Sequence, residues 1–361
     1  MAVIGAGIVG LATAYALTER GATVTVYERG EPGAGQSGGV SRVLRHAHDD
    51  ERLTAMTRDG RRVWDEWGAR LGTELVSPDG AVAIGPAIER RMAGIARAGG
   101  IDARIVDGDE LRARMPLMAP HPGPALLDAD GGAIRTVEAV RALAAALGDR
   151  LVRDEVLAVE PRGDGVRVRA GGATSDHGRV VVAAGRDTAR IARMLGLSIP
   201  VRLGAHVRLT FAVRGAAPAR LACLQDGSGD FGEVGAYGAA APGNARFGLG
   251  ISTSTEALED GTLLDPAGLA ALAERARAYV ARALPGLDPE PVDVRHCWTT
   301  QLPWGPDGVA VWEAEGVLVV AGHNLFKQAP GLGRILAAAA TGHALPDLVR
   351  PGSRLGRAAG A

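Results

Sequence analysis

The chain is poor in several features that would point to particular classes of protein. Among 361 residues it has two cysteines, Cys223 and Cys297, its aromatic content is 4% and its formal net charge is −1. Two cysteines far apart in sequence give no disulfide framework, so we expect a reducing, cytoplasmic location. A net charge near zero gives no general attraction to nucleic acid or to a membrane surface. No apolar run is long enough to span a bilayer, and we expect no membrane span.

What remains is the composition of an ordinary globular protein, with 47% apolar and 22% charged residues. The length suffices for roughly two domains and a large core. The chain begins abruptly at an apolar run, so we expect that a few native residues precede it. A signal peptide is the alternative explanation of that run. It is disfavoured because no charged segment precedes the run and because Glu19 and Arg20 occupy the position of a cleavage region.

The first 28 residues have the pattern of a dinucleotide-binding βαβ unit. Residues 2–4 are a short apolar run typical of a buried strand, residues 11–20 carry apolar side chains at helical spacing, and residues 22–27 are a second apolar run. Between the first run and the helix lies the G-x-G-x-x-G sequence Gly5-Ala6-Gly7-Ile8-Val9-Gly10, and the second run ends in Glu28. This order of elements predicts a dinucleotide-binding fold.

Each part of this unit has a physical role. Gly5 permits a tight turn, Gly7 lets the backbone approach a pyrophosphate, and Gly10 lets the helix pack closely on the strand. The start of the helix offers amide groups and the positive end of a dipole to the phosphates. Glu28 lies where a carboxylate would accept hydrogen bonds from an adenosine ribose.

A glycine-rich loop and a polar segment follow the first unit. Residues 29–39 are either a simple connector or a wrap around a large cofactor. Arg42 and Arg45 are spaced so that their side chains would share one face if the segment were a helical turn, and the pattern alone favours a solvated basic surface. The run His46-Ala47-His48-Asp49-Asp50 has the residue types of a metal site, but no further ligands stand at set spacing, and we predict no metal.

The rest of the chain contains two kinds of sequence pattern, one typical of parallel βαβ units and one typical of antiparallel strands. The parallel βαβ pattern of the N-terminal unit occurs again later in the chain. It includes apolar strands at residues 179–184 and 317–321 and an Ala-rich helix at residues 332–341. A helix predicted over residues 136–147, with Thr136 as its cap, belongs to the same βαβ pattern. Between these parts lies mostly antiparallel material, which includes a long helix that starts at Asp265-Pro266.

One segment of the antiparallel part has a clear alternation. From residue 205, Val207, Leu209 and Phe211 fall on one face and His206, Arg208 and Thr210 fall on the other. This period predicts an antiparallel strand with one face in the core and one face in solvent.

Several local motifs, in this order along the chain, identify a family resemblance. They are Arg42-x-x-Arg45-His46, the run Cys297-Trp298-Thr299-Thr300-Gln301-Leu302-Pro303 and the run Phe326-Lys327-Gln328-Ala329-Pro330-Gly331-Leu332-Gly333. Together with the N-terminal unit they resemble the glycine oxidase, D-amino-acid oxidase and sarcosine oxidase superfamily of flavoproteins. The likeness looks closest to the branch of monomeric sarcosine oxidase and N-methyl amino acid oxidases.

The resemblance implies an α/β fold in two discontinuous domains. A Rossmann-like FAD-binding domain would comprise residues 1–72, 133–203 and 303–361. A substrate-binding domain built on a mostly antiparallel sheet would comprise residues 73–132 and 204–302.

The resemblance also implies roles for particular residues. Arg45 and Lys327 would hold the substrate carboxylate, Tyr237 would line the substrate pocket, and Arg42 would lie beside the flavin. Cys297 matches a family cysteine that carries covalently attached flavin, although a lone cysteine is most often buried filler, and both alternatives stay open. The implied FAD contacts are Gly5, Gly7, Ile8, Val9, Gly10, Glu28, Arg29, Ser37, Ser41, Arg42, Val156, Ala184, Gly185, Cys297, Gly322 and Lys327.

The chain departs from the family pattern at several positions. Gly248 stands where family oxidases have a lysine that activates dioxygen, so the electron acceptor is either dioxygen or another oxidant. Gly38 and Ser252 replace family histidines and Thr299 replaces a tyrosine, so we do not expect sarcosine itself to be the substrate.

These observations lead to three hypotheses on function. The first is an FAD-dependent oxidoreductase that removes a hydride from the Cα–H of an amino acid, or of a secondary or cyclic amino acid, to give an imine. The second is a flavin-dependent 2-hydroxy acid dehydrogenase, because the same cations would bind either acid. The third is a flavin-binding accessory protein with reduced turnover.

Overall fold

The structure is a computed structural model and describes residues 1–357. Its helices are α1 (Ile8–Glu19), α2 (Glu51–Leu71), α3 (Ile88–Ala98), α4 (Gly108–Arg114), α5 (Thr136–Leu147), α6 (Thr188–Met194), α7 (Pro266–Ala283) and α8 (Ala329–Ala340). Its strands are β1 (Ala2–Ile4), β2 (Thr25–Glu28), β3 (Arg42–Leu44), β4 (Ala81–Ile84), β5 (Ala103–Val106), β6 (Ala125–Asp128), β7 (Gly132–Ile134), β8 (Leu151–Arg153), β9 (Val156–Arg162), β10 (Gly165–Ala170), β11 (Ala173–His177), β12 (Val180–Val182), β13 (Arg202–Val213), β14 (Cys223–Asp226), β15 (Ala236–Ala240), β16 (Arg246–Ile251), β17 (Thr255–Glu256), β18 (Leu287–Gln301), β19 (Val309–Ala314) and β20 (Val317–Gly322).

The first sheet has the strand order β19-β20-β12-β1-β2-β8. Strand β1 lies inside it and pairs in parallel with β2 and β12, so that Val3 is opposite Val26 and Val181. The sheet is parallel except at its edge, where β19 runs antiparallel to β20. Helices α1 and α8 pack together beside it, and Gly333 makes this possible because a Cβ there would lie 2.7 Å from the Ala12 carbonyl carbon.

The second sheet contains nine strands in the order β17-β13-β16-β15-β14-β4-β6-β5, with β18 also paired to β13. The described pairs are antiparallel except for β14 with β4. Helix α7 covers one face, and Phe211, Phe247 and Tyr279 are fully buried between the helix and the sheet. A parallel sheet and a mostly antiparallel sheet, each with its own core, confirm the predicted fold class. The predicted domain boundaries remain a prediction.

Residues 42–44 are an extended strand paired with β7, in which Arg42 and Leu44 lie opposite Ile134 and Gly132. Two local predictions were wrong. The cap of α5 is Arg135, and the Thr136 hydroxyl donates instead to the Gly39 carbonyl. Helix α8 begins at Ala329, three residues earlier than predicted, because Pro330 fits the first turn of a helix.

The strand predicted to have a solvated face is buried on both faces. Strand β13 has the predicted alternation, but His206, Arg208 and Thr210 are 8%, 7% and 9% exposed. The prediction failed because the polar face of β13 is turned toward an interior cavity, where His206 and Arg208 contribute to the wall. None of the helices within residues 1–357 is both long and apolar enough to cross a membrane.

Candidate cofactor and substrate site

One cavity of about 930 Å³ joins the two sheets. Glu28 and Val156 line it on the side of the parallel sheet, and Tyr237 lines it on the side of the antiparallel sheet. The predicted site residues lie in its wall with two exceptions. Gly10 is packed inside the fold, and Ser41 is buried with its hydroxyl donating to the Ala239 carbonyl at 3.1 Å.

The turn between β1 and α1 forms one end of this cavity. Gly5 has φ +99°, and a Cβ there would lie 2.6 Å from the Ala183 carbonyl oxygen, so only glycine fits. A Cβ on Gly10 would lie 1.9 Å from the Gly5 carbonyl oxygen, which shows how closely the helix approaches the turn. The Glu28 carboxylate accepts the Ala6 amide at 2.8 Å and so ties the turn to the end of β2.

The same end of the cavity fits the dinucleotide that the sequence predicts. Gly7 lines the cavity, and its missing side chain leaves the turn open toward Ser37, whose hydroxyl accepts the Ile8 amide at 2.9 Å. Thr299 also lines the cavity.

Other predicted cofactor residues surround this end. Ala184 and Gly185 follow β12 and line the cavity, as Gly322 does at the end of β20. Arg29 lines it too and forms an ion pair with Asp187 at 2.8 Å. These loops follow the carboxyl ends of parallel strands, which is where open α/β sheets bind ligands.

Arg45 and Lys327, the residues predicted to hold a substrate carboxylate, lie beside the same carboxylate of the protein, that of Asp307. Asp307 lies 3.1 Å from Arg45 Nη2 and 3.5 Å from Lys327 Nζ. Its other contacts are His48 Nδ1 at 3.1 Å and the Asn324 amide, which donates at 2.9 Å. The chain therefore brings together two cations 282 residues apart in sequence and places one carboxylate between them.

Lys327 owes its position to helix α2. The ring of Phe326 stacks on Trp64 with centroids 6.2 Å apart, and the Gln328 amide donates to the Thr57 hydroxyl at 3.1 Å. Gly60 lets the segment approach the helix, since a Cβ there would lie 3.3 Å from the Lys327 carbonyl oxygen. The residues on both sides of Lys327 are thus anchored, and its side chain is directed to Asp307.

Burial and mutual charge set the protonation of this cluster. Burial lowers the pKa of Lys327 to about 8, with Asp307 opposing the shift and Arg45 adding to it. Burial disfavours charge on Asp307, but Lys327, Arg45 and His48 outweigh it and hold the pKa of that carboxyl well below its usual range. Burial and then Arg45 lower the pKa of His48 to about 3, so this imidazole is neutral. At neutral pH the cluster has two positive charges and one negative charge.

A second polar group in the cavity consists of neutral side chains. The Tyr237 hydroxyl lies 3.1 Å from His206 Nδ1, and the rings of His206 and His323 are 6.2 Å apart. Burial lowers the pKa of His206 to about 3 and that of His323 to about 4. These groups can exchange hydrogen bonds with a ligand without adding charge.

The two histidines that resembled a metal site bond to different carboxylates. His46 Nδ1 lies 3.0 Å from Asp128, whereas His48 is directed to Asp307. Within residues 1–357 no cluster of three or more His, Cys, Asp or Glu side chains is placed to hold a metal ion.

Sequence reasoning missed four residues of the site, namely His206, Arg208, Arg295 and Asp307. The alternation in β13 could have indicated His206 and Arg208. A polar strand face must lie against either solvent or an internal cavity, and here it lies against the cavity. Another overlooked signal is that Lys327 is the single lysine of a chain with 40 basic residues. Asp307 had no signal, because its partners are distant in sequence.

The comparisons with known proteins agree with this geometry. The family model DAO, described as FAD dependent oxidoreductase, matches residues 1–339. Peroxisomal sarcosine oxidase of Homo sapiens is 29% identical over 211 residues, which are 55% of this chain and 54% of that protein. N-methyl-L-tryptophan oxidase of Yersinia pestis (strain Pestoides F) is 26% identical over 194 residues, 51% of this chain and 52% of that protein. The matched stretch is thus about half the length of these curated relatives.

The solved structure of NikD, an unusual amino acid oxidase essential for nikkomycin biosynthesis, has the same fold. It superposes with a TM-score of 0.80 at 23% identity and covers 100% of this chain and 97% of that chain. At this identity the likeness speaks for the fold alone. The family match confirms the predicted resemblance and the predicted cofactor, FAD.

Proposed function

Because the chain belongs to the DAO family of FAD-dependent oxidoreductases, we propose that it oxidises an amino acid, or a secondary or cyclic amino acid, by removing a hydride from Cα–H to give an imine. The observation that carries this proposal is the buried cluster of Arg45, Lys327 and Asp307 in the wall of the cavity that also contains the dinucleotide turn. FAD, when bound, accepts the hydride.

The charge of the cluster suits one substrate carboxylate. One buried cation, Lys327, and one partly buried cation, Arg45, next to one carboxylate leave an excess of one positive charge. A carboxylate of the substrate would balance it through charge-assisted hydrogen bonds, which are strong where water is excluded. Asp307 lies beside both Arg45 and Lys327, and this supports the proposal that a second carboxylate, from the substrate, binds next to them.

The neutral imidazoles favour an amine bound without charge. His206 and His323 contribute hydrogen-bonding atoms to the cavity but do not carry a proton at neutral pH. With these groups neutral, the contribution of the protein is to position the Cα–H and to provide the electrostatic environment.

A matched substrate panel under anaerobic conditions tests the reaction. The flavin absorbance should be bleached by amino acids and N-methyl amino acids but not by 2-hydroxy acids of the same side chain. Bleaching by the hydroxy acids alone would establish the dehydrogenase alternative, and a flavin that no member of the panel bleaches would favour the accessory role. Readmission of air then decides whether dioxygen or another oxidant is the acceptor.

Carboxylate binding should depend on pH through Lys327. The ammonium form attracts a carboxylate, so acetate, which has no amine of its own, should bind more weakly as the pH rises through about 8. The titratable groups around Lys327 are Asp307, Arg45, His48 and His323. Over this range the Asp307 carboxyl stays ionised and both imidazoles stay neutral. Spectral titration of the flavin with acetate measures the affinity.

The pKa of Lys327 can also be measured directly on its side chain. Isotope labelling of lysine gives one side-chain resonance, because Lys327 is the single lysine. In Asp307→Asn its titration midpoint should move to lower pH, since Asp307 opposes the lowering of the lysine pKa. Exposed Asp347→Asn is the control. A midpoint that is unchanged in Asp307→Asn, with acetate affinity independent of pH, would contradict carboxylate binding at Arg45 and Lys327.

We also propose that FAD is attached through Cys297, which lines the cavity and is 7% exposed. Forming the thioether would replace the S–H of Cys297 and one C–H of the flavin by a C–S bond; two protons would go to solvent, and two electrons would pass through the flavin to the dioxygen or other oxidant that reoxidises it. After acid precipitation the yellow colour should stay in the pellet for the wild type and for Cys223→Ala, a buried cysteine outside the cavity wall. It should be released from Cys297→Ala. Release from the wild type would assign Cys297 to the core.

A further inference from the structure

The segment between β3 and α2 contains Arg45 but has no regular secondary structure. Strand β3 ends at Leu44 and α2 begins at Glu51, and residues 45–50 lie in neither a helix nor a strand. The hydrogen bonds of a helix or a sheet therefore do not fix the backbone at Arg45. Its guanidinium nevertheless has a defined place beside Asp307, so other contacts must hold the segment.

The residue after Arg45 is held by a buried carboxylate. Asp128, the last residue of β6, accepts the His46 amide at 2.6 Å and lies 3.0 Å from Nδ1 of the His46 ring. Both side chains are 1% exposed. Within residues 1–357 the Asp128 carboxylate has no hydrogen-bond partner other than His46. Its hydrogen bonds are therefore directed entirely to the neighbour of Arg45.

A second side chain fixes the other backbone group of His46. The Thr54 hydroxyl on α2 donates to the His46 carbonyl at 3.0 Å, and Thr54 is fully buried. The same carbonyl accepts the His48 amide at 2.8 Å, which makes residues 46–48 a tight turn. Asp128 from the antiparallel sheet and Thr54 from the helix thus hold this turn from two sides.

The turn at residues 46–48 provides two of the contacts of the Arg45 guanidinium. Arg45 Nη1 donates to the Ala47 carbonyl and lies 3.2 Å from His48 Nδ1. Arg45 Nη2 donates to Asp307 at 3.1 Å. A shift of the turn would therefore move the guanidinium relative to Asp307.

The buried carboxylate acts at a distance from the cavity. Among residues 1–357, Arg45 lines the cavity, whereas Asp128 and His46 do not. Burying a carboxylate costs free energy, and apolar residues of similar volume often stabilise a fold equally well or better. We propose that Asp128 is a positioning residue: through His46 and the turn, it holds the Arg45 guanidinium where the substrate carboxylate binds. The inference rests on the proposed function, which gives Arg45 this role.

The experiment measures the affinity of the holoenzyme for acetate by spectral titration of the flavin. It compares the wild type with Asp128→Asn, and it repeats the comparison in the Arg45→Met background. Asparagine keeps the shape of aspartate but is neutral and has a single acceptor oxygen for the two nitrogen atoms of His46. The control is Asp79→Asn, which changes a buried aspartate outside the cavity wall.

In Asp128→Asn acetate should bind about tenfold more weakly or worse, because a displacement of about 1 Å in a positioning contact can cost about 100-fold. In the Arg45→Met background the same substitution should change the acetate affinity by less than about twofold, because the guanidinium that Asp128 positions is absent. Asp79→Asn should equal the wild type.

The side-chain resonance of Lys327 gives a second readout that needs no ligand. Burial lowers the pKa of Lys327, and Arg45 adds to that lowering. If Arg45 is displaced in Asp128→Asn, the titration midpoint of Lys327 should move to higher pH. In the Arg45→Met background Asp128→Asn should leave the midpoint unchanged.

An unchanged acetate affinity or an unchanged Lys327 midpoint in Asp128→Asn would overturn the proposal. An equal loss of affinity in both backgrounds would overturn it as well, because Asp128 would then act on the fold in general and not through Arg45. If Asp128→Asn does not retain FAD, Thr54→Val, which removes the other bond to His46, gives the same decision. A wild type that binds no acetate would contradict the carboxylate site of the proposed function itself, whereas the other outcomes concern Asp128 alone.

Discussion

Replacement of Lys327 by methionine should lower kcat/KM for an amino acid substrate by about 100- to 1000-fold. Lys327 is 5% exposed and is one of two cations around Asp307. Removing one partner from a buried, hydrogen-bonded charge pair costs about 2–5 kcal/mol, and each 1.4 kcal/mol is a factor of ten. Methionine keeps most of the side-chain length, so the loss reports the charge. Steady-state kinetics across substrate concentrations measure the effect.

The control for this variant is Arg220→Met, an exposed arginine outside the cavity wall. It should retain the kcat/KM of the wild type, and both variants should retain the flavin spectrum. A Lys327→Met enzyme within about twofold of the wild type would show that the substrate carboxylate binds elsewhere.

Replacement of Gly10 by alanine should destabilise the fold by about 3 kcal/mol or more and abolish FAD binding. Its Cβ would lie 1.9 Å from the Gly5 carbonyl oxygen, so the helix must move away from the turn that is predicted to bind the pyrophosphate. Helix propensity alone predicts the opposite sign, because alanine is about 1 kcal/mol more favourable than glycine inside a helix. The sign of the change in unfolding free energy therefore separates the two effects.

Gly172→Ala provides the matched control for this substitution. A Cβ at Gly172 has no atom within 4 Å, and stability and FAD content should not change. Chemical denaturation and the ratio of flavin to protein absorbance measure both variants. A Gly10→Ala protein as stable as the wild type, with full FAD content, would contradict the close packing of α1 on the turn.

The β1–α1 unit could be predicted from sequence because its determinants are local. Gly10 and Glu28 have their partners, Gly5 and Ala6, within the first 28 residues. The turn at Gly5 follows from its residue type, although its close contact is with the distant Ala183. The same holds for α7, where Asp265 accepts the Gly268 amide and Pro266 begins the helix as predicted.

Other parts of the site depend on contacts that no local pattern encodes. Asp307 meets Arg45 across 262 residues, and a carboxylate in a loop has the same local appearance whether it faces solvent or a buried lysine. The alternation of polar and apolar residues in β13 correctly predicted a strand. The same alternation occurs whether the polar face of the strand lies against solvent or against an internal cavity. Arg208 was therefore assigned to solvent, although it lies in the cavity wall.

The measurement that tests the account most directly is an anaerobic flavin spectrum with three matched compounds. They are an amino acid, the amine left after its decarboxylation and the corresponding 2-hydroxy acid. If the protein oxidises amino acids held at Arg45 and Lys327, the amino acid should bleach the flavin at far lower concentration than the amine, and the hydroxy acid should leave it oxidised. Equal bleaching by the amine and the amino acid would contradict carboxylate recognition, and bleaching by the hydroxy acid alone would contradict amine oxidation.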